Sequence, residues 1–195
     1  MQSKMTPKDL INIGVFLVLY FITMAVNALA VAGPIWIYLA LVISAPLGGI
    51  VFQLFLTRVK RPGMIMLFGL IFGAFMTLAH GWQTLILVII FSALAEVIMW
   101  LGRYRSKLAN FWTYPVFQLW SFGPIVPIIM NADAYHAMLI ESRDKSVAYA
   151  DEVISLSTNP VFIGAIVAGV FILSIVGSWV GQRMLSKHFV KAGIA

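Results

Sequence analysis

Apolar residues run almost unbroken through six stretches of this chain, near 10–31, 35–57, 64–79, 83–101, 109–130 and 160–184, and polar residues collect between them. About 20 apolar residues cross a bilayer as a helix, so each stretch is predicted to be a transmembrane span. Backbone in lipid must satisfy its own hydrogen bonds, and the runs lack the two-residue alternation of a barrel strand. The expected fold is therefore an all-α integral membrane protein, a six-transmembrane-helix bundle forming a single domain over residues 1–195. The first run exceeds the apolar core of a signal peptide and is followed by no clear small-residue cleavage site, so it is expected to stay as a helix.

Charge gives this bundle a direction. Eleven of the thirteen basic residues fall on one face: Lys4 and Lys8, then Arg58, Lys60 and Arg61, then Arg103, Arg105 and Lys107, then Arg183, Lys187 and Lys191. Cytoplasmic loops carry such an excess, which places both termini inside. The net charge of +6 is then an insertion signal rather than a nucleic-acid footprint, and no nucleic-acid partner is expected. On the other face Arg143 and Lys145 stand among Asp133, Glu141, Asp144, Asp151 and Glu152, so the long outer loop 131–159 is net negative. Its stretch from Ala132 to Val153 lacks Pro and Gly and is read as a connector, a lid, or a short amphipathic helix at the interface.

Composition agrees with the class: 62% hydrophobic, 10% charged, with a mean hydropathy of +0.98. The absence of cysteine excludes disulfides, thiol catalysis and thiolate metal sites.

The little chemistry available gathers at the outer helix ends. Asn27 lies on the first helix, Trp36 and Tyr38 open the second, and His80-Gly81-Trp82 turns the third into the fourth. Gln118, Trp120 and Ser121 precede Gly123-Pro124 in the fifth, with Asn131, Asp133, Tyr135 and His136 just beyond. Aromatic faces with a few convergent polar groups make a small-molecule pocket. The alternative for Trp36 and Tyr38 is the aromatic belt found at any membrane interface, and for His80 a helix-capping role. Gly123-Pro124-Ile125-Val126-Pro127 is expected to break the fifth helix, either lining an outer cavity or kinking it for packing. Glu96 is the one acid well inside a span, read as an ion pair or interhelical hydrogen bond, a proton-coupling site, or a partner contact. Gly14, Gly48-Gly49, Gly69 with Gly73, and Gly177 with Gly181 permit close helix approach, inside the bundle or against a second membrane protein.

Catalytic patterns are lacking: there is no Gly-x-Ser-x-Gly elbow, His-Glu-x-x-His or phosphate-binding loop. Neither an enzyme nor a resident cofactor is expected. A metal or haem cargo bridged by His80 and His136, with Met130 or Met138 in support, stays open.

Several segments carry a family resemblance. They are Lys8-Asp9-Leu10-Ile11-Asn12-Ile13-Gly14-Val15-Phe16, His80-Gly81-Trp82, Leu119 to Pro127, Asp133-Ala134-Tyr135 and the ending Lys187 to Ala195. In order and length the chain resembles the MptD or Trep_Strep-type family of energy-coupling factor (ECF) transporter S components. The resemblance implies a subunit that captures a micronutrient on the outer side, such as a vitamin, a haem or metal chelate, or a nucleobase-like compound. It implies as partners a transmembrane coupling subunit and two cytoplasmic ATPases. It would place substrate at the loops that carry Trp36, His80, Trp82, Asn131, Asp133, Tyr135 and His136, and the outer-end pocket read from the residues themselves adds Asn27, Trp120 and Ser121 as candidate substrate contacts. Docking of the coupling subunit is expected at Gly14 and Val18 on the first helix, where many S components carry Ala-x-x-x-Ala, and at Gly177 and Gly181. A stand-alone secondary transporter and, more remotely, a membrane enzyme are the competing readings.

Overall fold

The computed structural model describes residues 5–59 and 61–185. Lys4, Lys60, Lys187, His188, Lys191 and the family-like ending lie outside the described residues. Among the described residues the chain forms nine α-helices and two 3-10 segments, and no strand. Helix α1 (Pro7–Thr23) continues into a 3-10 segment, Met24–Ala32, and is followed by α2 (Pro34–Leu56), α3 (Met64–His80) and α4 (Trp82–Leu101). Next come α5 (Lys107–Gln118), a second 3-10 segment (Leu119–Ile125), α6 (Val126–Met130), α7 (Ala132–Glu141), α8 (Val147–Thr158) and α9 (Pro160–Met184).

Among the described residues four stretches are long and apolar enough to cross a membrane: Pro7–Ala32, Pro34–Leu56, Trp82–Leu101 and Pro160–Met184. Helix α3 is apolar but only 17 residues long. The expected fifth span is not one helix, because Pro124 and Pro127 remove backbone donors and the chain passes through 3-10 geometry into the five-residue α6. Outward-facing Val18, Phe75, Val97 and Ile172 are each about half exposed or more, as an apolar face against lipid requires.

The long segments close into a ring, α1 against α2, α2 against α9, α9 against α5, α5 against α4, α4 against α3, and α3 against α1. Between α2 and α9 the backbones touch. A Cβ built on Gly49 would lie 2.7 Å from the carbonyl carbon of Gly177, and one on Gly177 would lie 2.7 Å from the Pro46 oxygen. Gly181 meets Gln53 in the same way, with 2.8 Å to its side chain. Gly177 and Gly181 are thus internal packing positions, which removes them as a docking surface, while Gly14 has nothing within 4 Å of an added Cβ.

At the end of the ring that carries the basic loops, Glu96 is occupied by local structure. Its carboxylate accepts from the backbone N–H of Gly63 at 2.9 Å, Ile65 at 3.0 Å and Met66 at 3.1 Å, and from the Tyr104 hydroxyl at 2.6 Å. These amides open α3 and have no partner within the helix, so Glu96 of α4 caps its neighbour as an interhelical hydrogen-bonding group. Burial and the bond to Glu96 push the Tyr104 phenol well above its ordinary range, keeping it a donor. Arg61 and Asp9 pair nearby at 3.2 Å, tying the α2–α3 loop to the first turn of α1.

In the outer segment 131–159, read as a connector, a lid or a short amphipathic helix, the chain forms two helices. Asn131 accepts from Ala134 N–H at 3.0 Å to start α7, and Ser146 accepts from Tyr149 N–H at 3.2 Å to start α8. The pair folds back over the ring, where Leu139, Ala150 and Val153 are buried with Ile128.

Glu96→Ala strips an acceptor from four donors and is expected to cost about 2 kcal/mol. That corresponds to a Tm lower by about 4–8 °C in detergent for a chain of this size, whereas Val97→Leu on the lipid-facing side should leave Tm unchanged. An unaltered Tm for Glu96→Ala would remove the capping role.

Candidate functional site

The site is built on an aromatic column. Tyr20 of α1 is fully buried, in edge contact with Phe52, Phe68, Phe72 and Phe117, with ring centroids 5.3–6.3 Å apart. A buried phenol needs a partner, and its hydroxyl donates to Gln118 Oε1 at 2.5 Å and accepts from Trp120 Nε1 at 3.1 Å. Trp120 is held further by Phe72, 4.6 Å away and edge-on. Fixed in this way, with 3% of its surface exposed, the indole forms the floor of a cavity of about 370 Å³.

One wall comes from the 3-10 segment after α1 (Met24, Asn27, Val31) and one from α2 (Ile37, Tyr38, Leu41). Met76 and His80 of α3 close a third side, and Pro124, Ile125 and Ile128 of the broken segment a fourth. Over these lie Tyr135 of α7, Tyr149 and Val153 of α8, and Arg143 and Lys145 of the turn between them. Tyr38 is spent as a clasp: its hydroxyl bonds Ser157 and the Val153 carbonyl, joining α2 to α8. Burial raises the phenols of Tyr135 and Tyr149 above their ordinary range, and Arg143 opposes the rise in both.

Of the residues expected to bind substrate, the fold brings Asn27, His80, Trp120 and Tyr135 together around this cavity. The others lie elsewhere. Trp36 and Trp82, 38% and 57% exposed, face outward at the ends of α2 and α4, as belt residues do. Ser121 is buried in the break after α5, away from the cavity wall. Asn131 is used as the cap of α7. Asp133 and His136 sit on a separate shallow surface with Asp151, whose carboxylate lies 2.9 Å from His136 Nε2. The fold therefore does not join His80 and His136, and among the described residues no group of three His, Cys, Asp or Glu is placed to hold a metal.

Sequence reasoning missed Arg143 and Lys145, which it read as outer-loop charges. Asp144 between them adopts a left-handed conformation, φ 57°, and Lys145 N–H reaches back to the Leu139 carbonyl at 3.0 Å. Asp tolerates that geometry better than most residues. The only signal in the chain was the Arg-Asp-Lys triplet itself.

Tyr20→Phe leaves the Trp120 N–H and Gln118 oxygen buried without their partner. The expected loss is about 1–3 kcal/mol of stability, read as a lower Tm together with altered tryptophan emission that Trp120→Phe abolishes. Wild-type stability and emission would show that the hydroxyl does not hold the floor.

No curated protein and no solved structure matches the chain. A family model described as a hypothetical bacterial integral membrane protein matches residues 7–191, nearly the whole of it, and the membrane-length apolar helices agree with that description. The chain belongs to the Trep_Strep family of hypothetical bacterial integral membrane proteins.

Proposed function

We propose that this protein is the substrate-capture subunit of an ECF-type importer in the bacterial plasma membrane, with six membrane-crossing segments, both termini cytoplasmic and the α7–α8 pair facing outward. The observation that carries this reading is the cavity of about 370 Å³, floored by Trp120 and roofed by α7 and α8, at the end of the ring remote from the basic loops. Its volume lies in the range of roughly 300–1,000 Å³ that suits a small molecule. The roof is held by few polar ties, chiefly Tyr38 to α8, so ligand can enter by displacing a short helical hairpin rather than a whole span.

A second surface supports the coupled form of the reading. Gly14, Val18, Leu17 and Phe21 of α1, with Ile71 and Phe75 of α3, border an apolar groove of about 510 Å³ on the lipid-facing side. Gly14 is not used inside the bundle, and small residues at a membrane surface let a partner helix approach closely. In this reading the groove receives the coupling subunit, which in turn binds the two ATPases.

The stand-alone secondary transporter is disfavoured by the state of Glu96, since a carboxylate that accepts from three backbone amides and a phenol is poorly placed to shuttle protons. A membrane enzyme is disfavoured by the cavity wall, which pairs no nucleophile with a base.

Native mass spectrometry of protein purified in mild detergent from its own host is expected to reveal one bound small molecule per chain, with Trp120→Ala losing it while staying folded. A chain that never carries a ligand would contradict capture. Gly14→Phe is expected to leave ligand binding unchanged and reduce co-purification of the coupling subunit at least several-fold; intact assembly would remove the α1 groove from the docking account.

A further inference from the structure

The charges around the cavity are sorted by sign. Arg143 and Lys145 line it, and no carboxylate does. The five acids of the same region are all exposed: Asp133 and Asp151 border a separate surface with His136, and Glu141, Asp144 and Glu152 are not among the residues that line the cavity, although Glu152 is close enough to Tyr149 to raise its phenol. Among the described residues neither cation pairs with a carboxylate. Arg143 Nη2 donates to the Ala79 carbonyl at 3.4 Å, at the carbonyl end of α3, and Lys145 Nζ lies 5.2 Å from the centre of the Tyr149 ring. These contacts steer both side chains over the cavity without neutralising them, and most of the guanidinium donors are left for another acceptor.

Two cations at the mouth of an apolar cleft focus a positive potential into it. A guanidinium also grips a carboxylate or phosphate with paired, charge-assisted hydrogen bonds. Below them the wall is apolar and aromatic, formed by Trp120, Ile37, Leu41, Met76 and Ile125. His80 and the phenols of Tyr38, Tyr135 and Tyr149 also border it, together with Asn27, whose side-chain oxygen has no hydrogen-bond partner among the described residues.

The geometry points to an amphipathic organic anion as the cargo, its carboxylate or phosphate held by Arg143 and Lys145, its apolar body on Trp120, and a donor group turned to Asn27. This rests on the capture function proposed above and narrows it. Cationic nutrients and bare metal ions are disfavoured, the first by the two charges and the second by the lack of a ligand cluster among the described residues.

The test uses a protein-free metabolite extract of the host, split on an anion exchanger into a retained, anionic pool and a flow-through pool. Each pool is titrated against the full-length protein in nanodiscs, and Tm is read. The anionic pool is expected to raise Tm and the flow-through to leave it unchanged. Arg143→Gln and Lys145→Gln, with unchanged Tm in the absence of extract, should each need at least about tenfold more of the anionic pool for the same rise. Arg105→Gln, an exposed cation at the opposite end, should behave as wild type. Stabilisation by the flow-through pool alone, or an undiminished response in both Arg143→Gln and Lys145→Gln, would overturn the anion assignment while leaving capture intact. An equal loss in Arg105→Gln would overturn it too, as general charge attraction. Failure of both pools to stabilise the wild type would overturn capture itself.

Discussion

The Tyr20 hydroxyl is the contact on which the rest of the molecule depends. It lies within the aromatic column where α1, α2, α3 and α5 meet, and it bonds both Gln118 and Trp120. In a bundle whose outer surface is as apolar as its surroundings, burial alone does little to select one arrangement of helices. Directional polar contacts inside the ring do. Tyr20 supplies one set, Tyr114 another through its bond to the Ala45 carbonyl at 2.5 Å beside Pro46, and the glycine contact of α2 with α9 sets how near the backbones come.

From that centre the two ends differ in kind. At one, Glu96 and the Asp9–Arg61 pair tie loops to helix starts. At the other, helix 1 loosens into 3-10 geometry from Met24, the fifth segment breaks at Gly123-Pro124, and the backbone departs from regular helix on two sides of the same cavity. Irregular backbone at membrane depth is tolerated where it lines a cavity or is buried in protein. Both breaks therefore support the binding role proposed for this end.

Much of the fold could be read from the chain, because apolar length dictates where helices start and stop. The expected boundaries of α2, α3, α4 and α9 agree with the structure to within one residue, and the break at Pro124 followed from the chemistry of proline. For the outer segment a short helix was one of the readings, but the division into two helices was not legible, because the caps Asn131 and Ser146 look like any polar loop residues until their side chains are seen to accept from Ala134 and Tyr149. Within the site, Trp120 and His80 were legible as aromatic and polar groups at helix ends, while Trp36 and Trp82 carried the same signature and face outward. Periodicity cannot distinguish a ring that points into a cavity from one that points into lipid. Arg143 and Lys145 were hidden for a different reason: the net negative charge of their segment masked a separation of signs that only the α7–α8 fold creates.

The central claim is that the cavity between Trp120 and the α7–α8 pair is where a small molecule is held. A cryo-electron microscopy structure of the protein isolated from host membranes tests it most directly, with an antibody fragment bound to the basic end for size. The account predicts density for one small molecule lying on the Trp120 indole and reaching Arg143 and Lys145. Bound density at another site, with the cavity closed by its own side chains, would contradict it.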